Sequence, residues 1–261
     1  MKKIVGIFLC LIISCNEPGK SISAIEKELN YSFQRIQYWH DTNHNESAYD
    51  SLYAANRKFE KLLYQYGSNP LTLRHDFKSL KKNGLVVSTS EDGKFRIYSW
   101  NTLTGGTMQF YRNVFQYESG KKVRAEISKS NMEYDSECTY YQINDIIAQD
   151  KKYYIAQNSA VYSNALQYIT VKAFSIENNT LNSNARLFKT STGIENELSC
   201  ELDFSASVNH NQPMTFEDAQ NLNIQYDPKK KIISIPLILD DSKITAKRVR
   251  YQFKDKYFEK I

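Results

Sequence analysis

Apolar positions in the first third of the chain recur every three or four residues. Ile22, Ile25, Leu29, Phe33 and Ile36 fall on one stripe, the signature of a helix that buries one face. A polar run from Asp41 to Glu46 interrupts it, and the stripe resumes at Ala48, Leu52, Ala55, Phe59, Leu62 and Tyr66 before Gly67. Asn69-Pro70 then supplies a side-chain acceptor for free helical N–H groups and a ring already at the φ of a first turn. A third stripe, Leu73, Phe77 and Leu80, ends at Gly84, where a C′ residue with left-handed backbone belongs. The pattern predicts three helices over residues 22–84.

From residue 85 to 261 the period falls to two. Leu85-Val86-Val87 opens a strand, Asp92-Gly93 makes a turn, and Phe95 and Ile97 then alternate with Arg96 and Tyr98 up to Trp100. Leu198, Cys200, Leu202 and Phe204 share one strand face, with Ser199, Glu201 and Asp203 on the other. Further strands are expected around Ile224, from Ile232 to Leu239 and from Arg248 to Phe258. Pro236 lacks an N–H and marks its strand as an edge or a bulge. Lys94-Phe95-Arg96-Ile97 is matched in type by Lys152-Tyr153-Tyr154-Ile155, and Lys231-Ile232-Ile233 opens a third copy. Such a repeated meander fits stacked or propeller-like antiparallel units. The expected class is α+β: three N-terminal helices, then a mostly antiparallel curved sheet region. Nineteen tyrosines against nine glycines and five prolines strengthen the sheet reading, because aromatic rings suit half-buried pleated surfaces.

Residues 1–14 differ from all that follows. Met1-Lys2-Lys3 precedes an uncharged run from Ile4 to Ile13, the length of a signal-peptide core and short of the ~20 residues a membrane-spanning helix needs. The run ends Ile12-Ile13-Ser14-Cys15, which resembles the lipobox of bacterial lipoproteins. The resemblance implies a diacylglyceryl group on the Cys15 thiol, cleavage before Cys15 and acylation of the new amine. Several acyl chains anchor stably where one is marginal, each buried CH₂ contributing ~0.8 kcal/mol. Residues 15–21 then read as a lipidated polar tether. Asn16 stands where enteric lipoproteins kept in the inner membrane carry aspartate, so the outer membrane is the expected address, its face left open.

This address changes the meaning of charge and cysteine. Removing Lys2 and Lys3 lowers the net charge from +5 to +3, and the remaining lysine runs are scattered. Nucleic-acid binding wants a concentrated basic face, so that partner is excluded. Cys10 leaves with the signal peptide and Cys15 carries lipid. Cys138 and Cys200 remain, either as a disulfide suited to an oxidising envelope or as two separate buried thiols.

The catalytic candidates are weak. In Trp39-His40-Asp41-Thr42-Asn43-His44-Asn45-Glu46 a helix would place His40 and His44 one turn apart, a zinc-ligand spacing. Asp41, however, replaces the glutamate that a zinc protease uses as base, and the Asn-rich composition favours a turn. The same stretch begins like a calcium loop but has Glu46 and Leu52 where glycine and glutamate are required. No Gly-x-Ser-x-Gly elbow occurs, and His75 and His210 are distant bases. Asp135 with Glu137, and Asp240 with Asp241, supply carboxylate pairs of the kind glycoside hydrolysis uses. No catalytic residue, metal or cofactor is assigned.

The double glycine of Thr104-Gly105-Gly106-Thr107 fits a hairpin connection with positive φ. It also fits a loop presenting Tyr98, Trp100 and Tyr111 to a ligand, since aromatic anchors carry most interface energy. Asp92-Gly93-Lys94-Phe95-Arg96-Ile97-Tyr98-Ser99-Trp100 followed by Gly105-Gly106-Thr107 is similar to uncharacterised envelope lipoproteins of Bacteroidetes, which implies a lineage and no activity. The expectation is a lipid-anchored, non-catalytic binding module with a protein or glycan partner: a binder of an envelope component, or an immunity protein that neutralises a toxin. The alternative is an envelope hydrolase using a carboxylate pair or a metal.

Overall fold

The computed structural model describes residues 20–42, 46–129, 137–206, 208–209 and 222–261. The expected anchor Cys15 and signal peptide, with His44, Asp135 and His210, lie outside these residues.

Helix α1 (Ile22–Asp41) is capped by Ser21, whose side chain accepts from the Ala24 N–H, and buries Ile25, Leu29, Phe33 and Ile36 as the stripe predicts. Helix α2 (Glu46–Tyr66) follows and buries Leu52, Phe59 and Leu63. The third expected helix is two. Helix α3 (Pro70–Arg74) begins as predicted, with Asn69 capping the Leu71 N–H and Pro70 in the first turn, but stops at His75. Phe77, at φ 51, then starts helix α4 (Lys78–Lys82). The break has a tertiary cause. Arg96 Nη1 donates to the carbonyls of Thr72 and His75, at 2.8 and 2.6 Å, satisfying the acceptors that a continued helix would have used. Freed from the helix, Phe77 packs edge-on against Tyr98. Helix α4 closes as the sequence indicates. Gly84, at φ 101, donates to Lys81 O while the Leu85 N–H reaches back to Leu80 O, the bond pair of a Schellman cap.

Four strands form the first sheet in sequence order: β1 (Val86–Thr89), β2 (Phe95–Asn101), β3 (Tyr111–Ser119) and β4 (Lys122–Ile127). The second contains β5 (Thr139–Ala148), β6 (Lys151–Val161), β7 (Leu166–Glu177) and β11 (Glu197–Asp203), with β8 (Thr180–Asn182) hanging from β7. The third is built of β9 (Phe188–Lys189), β10 (Ile194–Glu195), β12 (Gln225–Asp227), β13 (Ile232–Ile238), β14 (Ile244–Lys254) and β15 (Tyr257–Lys260). Among the described residues, all pairings are antiparallel except β9 with β15. Residues with positive φ make the two-residue turns: Gln149-Asp150 between β5 and β6, and Asn178-Asn179 between β7 and β8. That backbone matches the twist of the strands it joins. Pro236 sits where the register shifts between Pro236 and Ile238, beyond the end of its pairing with β12. It is therefore at a bulge, as its missing N–H requires.

The matched segments at Lys94, Lys152 and Lys231 open strands in three different sheets, each a meander. The sheets stack face to face rather than radiate, so there is no propeller. Helices pack on one face of the first sheet around Phe59, Tyr98, Trp100 and Val114. Its other face meets the second sheet through Phe95, Ile97, Tyr117, Tyr140, Tyr154 and Phe174. The far face of the second sheet meets the third through Ile155, Ile169, Val171, Ile233, Ile235 and Phe258.

Candidate functional site

Strand β2 lies between the helices and the second sheet, so six of its seven residues are buried. This overturns the expectation that Tyr98, Trp100 and Tyr111 are presented to a ligand. Tyr98 is 0% and Trp100 1% exposed. The Trp100 indole N–H donates to Asn56 Oδ1 of α2 at 3.0 Å, and the Tyr98 hydroxyl donates to Gln116 Oε1 at 2.7 Å. Tyr111 is 8% exposed and donates to Gln109. Tyr98 and Trp100 fix the helices to the sheet through Phe77 and Phe59. The double glycine lies in a nine-residue loop rather than a tight hairpin, and Gly105 serves close approach instead of positive φ: a Cβ there would stand 2.0 Å from Met108 O.

Cys138 and Cys200 are free thiols. They belong to different cores, Cys138 between the first and second sheets and Cys200 between the second and third, so the layering that buries them also keeps them from pairing. Burial pushes the Cys138 thiol up to about 12 and Cys200 up to about 11, which removes the thiolate that nucleophilic chemistry needs. His40 is exposed at the end of α1, 3.3 Å from Asp41 Oδ1. Among the described residues, no three His, Cys, Asp or Glu side chains gather as metal ligands. Asp240 and Asp241 are exposed, and Asp241 caps the Lys243 N–H.

Glu137 is different. Its carboxylate, 8% exposed, lies 3.2 Å from Arg112 Nη1, while Arg112 Nη2 lies 2.7 Å from Glu60 of α2. The amide of Asn113 and the hydroxyl of Ser128 also donate to Glu137. Its backbone has φ 45, a conformation that costs a non-glycine residue roughly 1–3 kcal/mol. Surrounding contacts over-determine it. From Glu137 the chain crosses the first sheet like a strap. Glu137 meets β4 just past its end at Ser128, and the Cys138 carbonyl accepts from Asn113 of β3. The Tyr140 N–H donates to Ser99 of β2, and the Tyr140 carbonyl accepts from Ser88 of β1.

Behind this strap, on the β4 side, the two sheets part into an open cleft of about 320 Å³. Phe115, Phe174 and Tyr140 form its floor, in edge and tilted contacts with one another. Phe174 and Tyr140 are buried, and Phe115 is half-buried. Glu126, Ser128 and Lys129 line it from the first sheet, Lys172, Leu181 and Ser183 from the second. The Tyr117 hydroxyl donates to Glu126; burial first, then that carboxylate, pushes Tyr117 up to about 12, so it stays a donor and orients the acid. Lys172 stands 3.6 Å from Glu197. Lys129 is exposed.

Such a cleft can bind a small ligand with one apolar face and polar edges, its size at the lower end of the ~300–1,000 Å³ usual for ligand pockets. Sequence reasoning missed it, except for Cys138 and Glu137 on its wall. The available signal was the two-residue alternation of Tyr111, Asn113, Phe115 and Tyr117, which marks a strand with one aromatic face. No protein-family model, curated protein or solved structure matches the chain.

Proposed function

We propose that this chain is a lipid-anchored protein of the bacterial cell envelope, tethered to the outer membrane through Cys15, that works by binding an envelope component. The observation carrying the binding role is the aromatic-floored cleft between the first and second sheets. Its one strained residue, Glu137, is tied to Arg112, Asn113 and Ser128, which fixes the cleft wall before any ligand arrives. A preformed wall reduces the ordering cost of association. Support for the anchor comes from the order of Lys2-Lys3, the apolar run and Ile12-Ile13-Ser14-Cys15.

The two halves of the proposal have separate tests. Cells expressing the full chain and fed an alkyne-bearing fatty acid should label the protein in the outer-membrane fraction, and Cys15→Ala should abolish both label and membrane retention. Label persisting in Cys15→Ala rules out the anchor. For binding, the full chain immobilised in detergent should retain envelope glycan or a discrete envelope protein, and Phe115→Ala should release it. Retention unchanged by Phe115→Ala would place binding elsewhere, while turnover of an envelope polymer would favour a hydrolase.

A further inference from the structure

We infer that the cleft takes a single sugar unit bearing an anionic group, a carboxylate or a phosphate; this rests on the binding role proposed above. Size sets the first limit, since a cavity of about 320 Å³ suits one ring and not a long polymer segment or a folded partner. The lining sets the second. A pyranose has an apolar C–H face and a rim of hydroxyls. The half-buried ring of Phe115 offers the face something to stack on, and Ser183 and the free acceptor capacity of Glu126 meet the rim. A long acyl chain would need an extended apolar slot, whereas here a short aromatic floor shares its lining with Glu126, Ser128, Lys129, Lys172 and Ser183.

Charge sets the third limit. The two acids in the cleft are already engaged: Glu137 by Arg112, Asn113 and Ser128, and Glu126 by Tyr117. The two cations are far less committed. Lys129 has no hydrogen-bond or ion partner among the described residues, and Lys172 reaches Glu197 only at 3.6 Å. Two ammonium groups lining a sugar-sized cleft, one from each sheet, repel a cationic ligand and gain little from a neutral one. With an anion they form charge-assisted contacts roughly twice as strong as neutral hydrogen bonds. Lysine is a point charge without the planar fork that selects carboxylate geometry, so the site accepts either anion.

The test titrates the full chain, purified in detergent, with glucuronate, glucose 6-phosphate, glucose and inorganic phosphate, read by saturation-transfer NMR and calorimetry. At least one of the two anionic sugars should bind about tenfold or more tightly than glucose, and which one identifies the anion. Lys129→Gln/Lys172→Gln should erase that preference, bringing the anionic sugars to the affinity that glucose has for the same variant. The inference is overturned if glucose binds as tightly as both anionic sugars, if the double variant keeps the preference, or if inorganic phosphate competes as well as glucose 6-phosphate. If none of the sugars binds while the envelope retention experiment recovers a partner, the sugar site falls and the binding role stands.

Discussion

The first and second sheets meet along two margins, and the chain treats them in opposite ways. On the β1 side the margin is sewn. Asp145 of β5 accepts the N–H groups of Glu91 and Asp92 at 3.0 and 3.1 Å, Lys152 lies 2.7 Å from Asp145, and the Tyr154 hydroxyl donates to Asp92. On the β4 side rings meet rings and the sheets part. The difference lies in what fills the gap. Directional polar groups hold two backbones at one spacing, whereas aromatic rings prefer offset and edge-on contacts with centroids ~4.5–7 Å apart, which leaves room at the rim. A closed margin fixes the angle between the sheets and an open one makes use of it.

The largest effect should come from the floor of the open margin. Phe174 is fully buried against Phe95, Phe115 and Tyr140, so Phe174→Ala should cost about 3–5 kcal/mol in urea unfolding. Phe115→Ala, at the half-buried rim, should cost clearly less; equal losses would mean that the cleft is not open. Next comes the strap. Ser99→Ala removes the acceptor of the buried Tyr140 N–H and should cost about 1–3 kcal/mol, measured the same way.

The sewn margin should respond to acid. Burial pushes Asp92 up, but the Lys94 N–H, Ser90, Lys152 and Tyr154 together hold it below the usual carboxylate range. A carboxylate depressed in the folded state stabilises above its unfolded pKa, near ~4, and loses that contribution as pH falls through its lower folded value. Asp92→Asn should therefore lower stability at neutral pH by about 1 kcal/mol and flatten the acid limb of the stability profile. A limb as steep as in the parent would assign the acid sensitivity elsewhere. The smallest effect is a control on the opposite face of the second sheet. Gln157 is 1% exposed and its Nε2 has no partner among the described residues. Gln157→Leu should leave the thermal midpoint unchanged or raise it, because no hydrogen bond is lost there.

What the sequence revealed follows from how local each cause is. The stripes of α1 and α2, the Asn69-Pro70 start and the Gly84 stop depend on residues a few positions apart, and the structure keeps them all. The break at Phe77 depends on Arg96, about twenty residues later, and left no local sign. Tyr98 and Trp100 were misread because alternation implies one wet face. Strand β2 has none, and the hint was that Phe95, Ile97 and Ser99, on the other face, carry no charge. In the sequence Glu137 pairs only with its neighbour Asp135, because its true partner Arg112 lies 25 residues back, in β3. The cleft was invisible for the same reason: its floor comes from three strands and its cations from opposite sides of the gap.

The strap from Glu137 to Tyr140 also bears on the order of assembly. The pair of α1 with α2 and the meander of β1 to β4 each join neighbouring segments, so their internal contacts close short loops and form early. The strap instead joins Tyr140 to Ser88 and Ser99, 52 and 41 residues back along the chain, and it has nothing to grip until β1 to β4 are side by side. It is a latch that can only be thrown late. A chain emerging from its N-terminus would build the first sheet, cross it with residues 137–140, and only then have a surface on which the second and third sheets can be laid.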